Sequence, residues 1–467
     1  MSEMVETAEL LRTAANEITR YLASLPERPV AAPVEPEALR AGFGSALPAG
    51  PSPPHTVLAA LCAAAEPGLV ATAGPRYFGF VTGGSLPSAT AADLLAVGWD
   101  QNAFNRVLSP AADAAEHCAG RWLKELLGIP ATASTGFVTG GQAANTVGLA
   151  AARHRVLADA GWDVESRGLA GAPPVRIVAS EERHATIDRA LRLLGFGTSA
   201  VTEVRADPTG AIDLDDLARV LDQGSGPLIG CLQAGNVNTG ACDDLRAATD
   251  LLHQHGGWAH VDGAFGLWAS ANPDTATLVD GVELADSWAC DGHKWLNVPY
   301  DSGFAFCADP EAHAAAVSYT AAYLVGSGGE AALADFTLES SRRARGFAVW
   351  AALRELGRSG VAELVGRTCA LTRRFASALA EGGAEIGNDI VLNQALVRFS
   401  SDEHTDRVIA EVQREGTCWL GGTTWRGRRY IRVSVSNWST KESDVDRSAE
   451  AVLRAAASVG AVAGSAG

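Results

Sequence analysis

No cysteine in this sequence has a second cysteine three positions away. The eight cysteines, at 62, 118, 231, 242, 290, 307, 369 and 418, are scattered through apolar or strand-like segments. They read as buried reduced thiols, with the spacing of neither a disulfide framework nor a zinc knot. His253 and His255 flank Gln254 without a third ligand nearby, so they receive no metal role. No apolar run is long enough to span a bilayer, and the start, Met1-Ser-Glu-Met-Val-Glu6, is acidic rather than basic. Basic residues are the minority: 37 Lys and Arg against 54 Asp and Glu, for a formal charge of −17. That balance argues against binding a nucleic-acid backbone or an anionic membrane through general electrostatics. Internal repeats are also lacking. A cytoplasmic protein is expected.

What is present is a large apolar content, 47% of 467 residues, enough for one big α/β domain with smaller companions. Residues 1–86 open with a helical stretch over 6–25 and pass into proline-rich coil over 26–54, which reads as an arm that packs on another surface. Residues 87–345 alternate helices with short apolar strands, as a mostly parallel sheet requires. Strands are expected at 175–179, 200–204, 228–233, 258–261, 287–290 and 303–306. Residues 346–467 read as a smaller α+β domain, entered through long helices at 339–356 and 361–380. A strand at 395–399, a helix at 405–414, a strand pair at 418–420 and 430–435, and a last helix at 442–456 follow. The run Gly326-Ser-Gly-Gly329 has the composition of a lid.

Four pieces fall where a parallel sheet presents its carboxyl ends, the usual place for a ligand in open α/β folds. Thr139-Gly-Gly-Gln-Ala-Ala-Asn145 is a plain turn or a cradle whose N–H groups and helix end suit a phosphate. His184, after the strand at 175–179, is a cap, a surface residue, or an imidazole stacked on a planar cofactor. Asp262 closes a strand in His260-Val-Asp-Gly-Ala264. It is a turn aspartate or a carboxylate that keeps a pyridine nitrogen protonated, with Gly263 and Ala264 leaving room for a ring. Lys294, in Ser287-Trp-Ala-Cys-Asp-Gly-His-Lys-Trp295, is a surface lysine or an amine able to hold an aldehyde as a Schiff base. Partial burial between Cys290 and Trp295 is expected to lower its pKa toward neutrality.

In the order and spacing of Gly-Gly, His, Asp-x-Ala and His-Lys, from Tyr77 to Phe347, the chain resembles the group II pyridoxal-phosphate-dependent decarboxylases of fold type I. That family includes the aromatic amino acid, tyrosine, histidine and glutamate decarboxylases. The resemblance implies a mostly parallel central sheet flanked by helices, a smaller α+β C-terminal domain and an N-terminal arm. It assigns Lys294 to the Schiff base with pyridoxal 5'-phosphate and His293 to contact with cofactor or substrate. Asp262 would meet the pyridine nitrogen, Ala264 one ring face and His184 the other. Gly141 and Gln142 match phosphate-holding positions, Asp291 and Gln233 match further cofactor positions, and Thr82 lies near the substrate carboxylate. Phe78, Phe80, Trp99, Asn102 and Phe104 are candidate pocket residues, with Arg432 the one obvious cation from the C-terminal domain.

The implied activity is decarboxylation of an apolar or aromatic L-amino acid to its amine, by a homodimer with sites at the subunit interface. Some positions depart from the family pattern. Gln142 and Ala143 replace a hydroxyl residue and a glutamate, and Gln233 and Asn236 stand where threonines are usual. Counting back from Arg345-Gly-Phe347 puts Phe336 at the lid position of a catalytic tyrosine, with Tyr319 and Tyr323 as alternative alignments. Phenylalanine there would divert the reaction to oxidative deamination and an aldehyde. A carbon–carbon lyase or an aminotransferase on the same fold is a further alternative, the latter drawing on Arg342, Arg343 or Arg345.

Overall fold

Runs such as Leu228-Ile-Gly-Cys-Leu-Gln233 and Trp258-Ala-His-Val-Asp262 are buried at every position, the mark of strands covered on both faces. In the computed structural model, which describes residues 2–32, 34–44, 46–319 and 331–464, they form the middle of a seven-stranded sheet. Its strands are β1 (Ser134–Val138), β2 (Arg176–Ser180), β3 (Val201–Val204), β4 (Leu228–Gln233), β5 (Trp258–Asp262), β6 (Ser287–Asp291) and β7 (Gly303–Cys307), in the order β1-β7-β6-β5-β4-β2-β3. Only β7 runs against the other six.

Helices cover both faces. The arm carries α1 (Ser2–Ser24), α2 (Pro36–Gly42) and α3 (Pro54–Ala65); α4 (Pro87–Trp99) and α5 (Pro110–Leu127) lead into the sheet. The connections use α6 (Gly141–Asp159), α7 (Val164–Arg167), α8 (Ala185–Leu193), α9 (Leu214–Leu221) and α10 (Leu245–Gln254), and α11 (Pro310–Val317) follows β7. Most of these starts are chemically marked. Ser109, Asp163, Asp213, Asp244 and Asp309 cap α5, α7, α9, α10 and α11 through their side-chain oxygens. Like α2, α3 and α4, α6 has no side-chain cap, and it is buried along most of its length by Ala, Gly and Val. Those small residues let it lie close on the sheet.

The second sheet, in the order β10-β11-β9-β8, uses β8 (Glu385–Ile386), β9 (Gln394–Arg398), β10 (Gly421–Trp425) and β11 (Arg428–Ser434). It packs with α12 (Gly346–Glu381), α13 (Asp402–Glu415) and α14 (Glu442–Gly464). Two expectations need correction. The long helix starts at Gly346, not 339, and Gly357, at φ 59°, interrupts its helical conformation. Residues 418–420 do not join the hairpin, because Trp419 exchanges backbone bonds with the arm: its N–H donates to Arg76 O at 3.0 Å, and Phe78 N–H donates to its carbonyl at 2.8 Å. The hairpin strands are β10 and β11, joined through Arg426 and Gly427, both at positive φ, as a tight hairpin turn requires.

The turn that carries Lys294 is stitched to both ends of the chain. A Cβ on Gly83 would fall 2.0 Å from the Lys294 carbonyl oxygen, so only glycine fits there. Asn437 Nδ2 donates to Ala73 O, Gly74 O and Gly83 O at 2.9–3.1 Å, and Asn297 Nδ2 donates to Trp295 O at 2.8 Å and Ser436 O at 2.9 Å.

Arg342 and Glu116 form a buried, two-pronged ion pair at 2.8 and 2.6 Å, joining α5 to the segment before α12. Burial pushes the Glu116 carboxyl up against the pull of Arg342. Arg342→Met should therefore lower stability by about 3 kcal/mol, as expected for a buried charge left alone, and adding Glu116→Gln should recover part of it. Urea unfolding of the single and double variants checks this.

Candidate active site

Lys294 lies in the turn after β6, and its Nζ is 2.9 Å from Asp291 Oδ2. Both groups are largely removed from solvent. Burial works against the ammonium, but Asp291, with Asp262 and Cys290 behind it, outweighs that effect and raises the Lys294 pKa above its ordinary range. This corrects the expectation of a depressed pKa: a carboxylate three residues earlier in the turn reverses the sign. The second Asp291 oxygen, Oδ1, is buried and has no hydrogen-bond partner among the described residues.

His293 stands beside this pair. Its Nδ1 accepts the Ser302 N–H at 3.1 Å, so its proton sits on Nε2, which lies 3.6 Å from Asp291 Oδ1. Burial lowers its pKa and keeps the ring neutral. Tyr300 stacks on that ring at 4.4 Å, and its hydroxyl donates to Thr82 Oγ1 at 3.5 Å.

The glycine turn closes the same space. A Cβ on Gly141 would lie 3.1 Å from Asp291 Oδ2 and 3.6 Å from Ala264 Cβ, and one on Gly140 would lie 2.8 Å from His293 Cε1. With no side-chain cap on α6, its first-turn N–H groups have no side-chain acceptor and suit an anion. The Gln142 side chain points elsewhere, donating to Thr186 O at 3.2 Å, so this turn offers backbone rather than side-chain donors.

Asp262 ends β5 with its carboxylate buried. Oδ2 accepts from Asn145 Nδ2 at 3.0 Å and from Thr186 Oγ1 at 3.4 Å, and Oδ1 accepts from Ala264 N at 3.3 Å. Gln233, on β4, is its neighbour in register. His184 caps α8, with Nδ1 accepting the Thr186 N–H at 3.3 Å. Desolvation lowers its pKa, and the charges acting on it are those of Asp262, Lys294, Arg432 and Asp291, so the cap and the site share one imidazole. Arg432, on β11, projects from the second sheet into this field. Burial lowers its pKa, and no acceptor holds its guanidinium among the described residues.

Other expected residues lie apart. Phe80 is 64% exposed and stacks on Trp419 at 5.3 Å, while Phe78 packs edge-on against Phe375. Trp99 meets Phe347, and Asn102 Oδ1 accepts the Arg342 N–H. Phe336 sits at the outer edge of the sheet: its ring meets His313 at 5.0 Å, His313 Nε2 is 3.2 Å from its carbonyl oxygen, and that oxygen presses on Gly136 of β1. None of these neighbours belongs to the Lys294 group. Tyr319 is half exposed, and Tyr323 and the run 326–329 lie outside the described residues. Asn145, Thr186 and Tyr300 were not anticipated. Tyr300 carries a legible signal, an aromatic six residues after the lysine; Asn145 and Thr186 become legible only once α6 and α8 are placed over Asp262.

This donor set fits a phosphorylated pyridine aldehyde: an amine for the aldehyde, a buried carboxylate for a ring nitrogen, flat walls at Ala264 and His184, and an uncapped helix end for phosphate. The description of the pyridoxal-dependent decarboxylase conserved domain matches residues 36–399. Tryptophan decarboxylase 1 of Oryza sativa subsp. japonica is 27% identical over 474 residues, covering 93% of this chain and 90% of its own. The 4-hydroxyphenylacetaldehyde synthase of Rhodiola rosea is 26% identical over 453 residues, covering 92% and 90%. A crystal structure of Oryza sativa TDC with PLP and tryptamine superposes with a TM-score of 0.91 at 24% identity, covering 97% of this chain and 98% of that one, which shows the fold.

Replacing Asp291 by Asn leaves Lys294 buried without its carboxylate, so its pKa should fall and its free amine should appear at lower pH. In titrations of apoprotein with pyridoxal, the pH midpoint of the Schiff-base absorption is expected to move down in Asp291→Asn. An unmoved midpoint would show that the carboxylate does not govern the amine.

Proposed function

We propose that this chain, which belongs to the pyridoxal-dependent decarboxylase family, removes the α-carboxyl group of an aromatic or other apolar L-amino acid and releases the amine. It is a carboxy-lyase that uses pyridoxal phosphate. The observation carrying the residue assignment is the meeting of Lys294, Asp262, His184 and the open end of α6 around one space.

Bound there, the cofactor would supply an aldehyde carbon and a ring that takes up the electron pair left on the α-carbon as carbon dioxide departs. Lys294 would hold the aldehyde carbon through Nζ as a Schiff base, with water as the leaving group, and Asp291 beside it sets the protonation of the amine. Asp262 favours a proton on the ring nitrogen, because an adjacent anion stabilises the cation. His184 and Ala264 confine the ring plane, and the N–H groups from Gly141 onward hold the phosphate. Arg432 takes the substrate carboxylate and, with Thr82 and His293, aligns the bond to be broken.

The substrate class follows from the count of cations. Arg342, Arg343 and Arg345 are each paired, with Glu116, Asp93 and Asp301, which leaves Arg432 for the α-carboxylate and, among the described residues, no second arginine of this group for a side-chain acid. The same pairing disfavours an aminotransferase. Similarity to a tryptophan decarboxylase and a 4-hydroxyphenylacetaldehyde synthase supports an aromatic substrate. The aldehyde synthase also supports a second reading, oxidative deamination to an aldehyde; Phe336, seated on His313 and Gly136, gives that reading no support from the site.

The working form is proposed to be a homodimer. Leu94, Leu95, Val97 and Trp99 on α4, with Val107 and Leu108 after it, are exposed, and α3 buries none of its residues. Apolar area of that extent suits a subunit interface. A cytoplasmic setting agrees with eight unpaired cysteines; among the described residues no helix is long and apolar enough to cross a membrane.

Supplied with pyridoxal phosphate and a panel of L-amino acids, the enzyme should release carbon dioxide and aromatic amine in equal amounts, as read by mass spectrometry. Peroxide and aldehyde in place of amine would establish the second reading, and keto acid without carbon dioxide would overturn both. Lys294→Ala should lose the Schiff-base absorption and all turnover. Arg432→Met should raise KM about 10- to 100-fold, the loss expected for one charged hydrogen-bond set. Sedimentation should find a dimer, converted to monomer by Leu95→Glu with Val97→Glu.

A further inference from the structure

On β5 the side chains of Trp258, His260 and Asp262 alternate onto one face of the sheet, the face that α6 crosses. His260 is fully buried and is paired in register with Ser287 of β6. The α6 helix makes room for the imidazole at Gly148, where a Cβ would fall 2.6 Å from His260 Cε1, and presents Asn145 one turn earlier. Four hydrogen bonds run through this layer. Trp258 Nε1 donates to Ser287 Oγ at 2.9 Å, Ser287 Oγ lies 2.8 Å from His260 Nδ1, His260 Nε2 lies 3.0 Å from Asn145 Oδ1, and Asn145 Nδ2 donates to Asp262 Oδ2 at 3.0 Å.

The donors and acceptors leave one solution. The indole can only donate, so Ser287 accepts from it, and a neutral His260 protonated at Nε2 takes the Ser287 hydroxyl proton at Nδ1. The ionised Asp262 can only accept, so the Asn145 amide must face it, leaving Oδ1 toward His260. His260 must then carry its proton on Nε2. Burial drives its pKa down to about 4, which keeps the ring neutral. Every hydrogen in the chain points toward the carboxylate, and each bond polarises the next.

We propose that His260 and Asn145 are positioning residues that hold Asp262 ionised and turned, with Oδ2 consumed by the chain and Oδ1 presented to the ring nitrogen of the cofactor. The inference rests on the reading that Asp262 meets that nitrogen. It adds a buried relay behind the carboxylate, ending in the indole of Trp258. Thr186, 3.4 Å from Oδ2 and 2.9 Å from His184 Nδ1, ties the relay to the imidazole that faces the ring.

The test begins without cofactor. In apoprotein labelled with ¹⁵N-histidine, one resonance should report a neutral imidazole protonated at Nε2, unresponsive to pH down to about 5, and it should vanish in His260→Gln. On the holoenzyme, His260→Leu removes the donor to Asn145. It should weaken pyridoxal phosphate binding about tenfold or more and move the titration of the bound ring nitrogen to lower pH. His260→Gln, which keeps a donor near the Nε2 position, should recover most of both. Ser287→Ala should fall between, because it frees the tautomer. An Nδ1-protonated His260 in the wild-type apoprotein would overturn the proposal. So would a folded His260→Leu protein with binding within about twofold and an unmoved titration. Should His260→Leu not fold, the apoprotein tautomer and the order of the Gln and Ala variants decide. Wild-type protein that takes up no pyridoxal phosphate would instead sink the reading of the site itself.

Discussion

Two buried carboxylates at the carboxyl ends of adjacent strands, Asp262 on β5 and Asp291 on β6, set the terms for everything around them. Neither can stay charged in a dry interior without compensation, and the chain compensates them differently. Asp291 has a cation, Lys294, at ion-pair distance. Among the described residues, Asp262 has only neutral donors, the Asn145 amide, the Thr186 hydroxyl and the Ala264 N–H. One carboxylate is coupled to an amine, while the other is hydrogen-bonded by neutral groups. A site that runs on an electron-withdrawing ring needs both kinds.

Glycine is placed where these groups converge. At Gly83, Gly140, Gly141 and Gly148 a Cβ would come within about 3 Å of Lys294, His293, Asp291 or His260, so the functional side chains press directly against backbone. Close packing of this kind removes room for rotamer changes and keeps the imidazoles and carboxylates in single orientations.

The parallel strands β2, β4, β5 and β6 were legible because burial on both faces makes them largely apolar runs. β1 was not: Ser134-Thr-Gly-Phe-Val138 begins polar and pairs on one side only, as an edge strand. Residues 418–420 have strand-like character but spend it on the arm, a pairing across more than 300 residues that no local pattern carries. Lys294, Asp262 and His184 could be singled out from spacing. The sign of the Lys294 shift could not, since it depends on how the turn folds Asp291 back onto the amine. Counting could put Phe336 at a lid position, whereas its seat on His313 and Gly136 follows from tertiary packing.

Asn437 closes the chain over its own beginning. Its amide reaches carbonyls at residues 73, 74 and 83, and residue 83 rests on the lysine turn. On a ribosome, the seven-stranded sheet is complete once Cys307 has emerged, but the backbone that clamps the Lys294 turn waits for another 130 residues of synthesis (437 − 307). Domains that fold as they emerge would therefore leave the reactive amine on a finished sheet with its clamp still missing. A chain cut short before Asn437 would carry the Lys294 turn without the amide that fastens residue 83 against it.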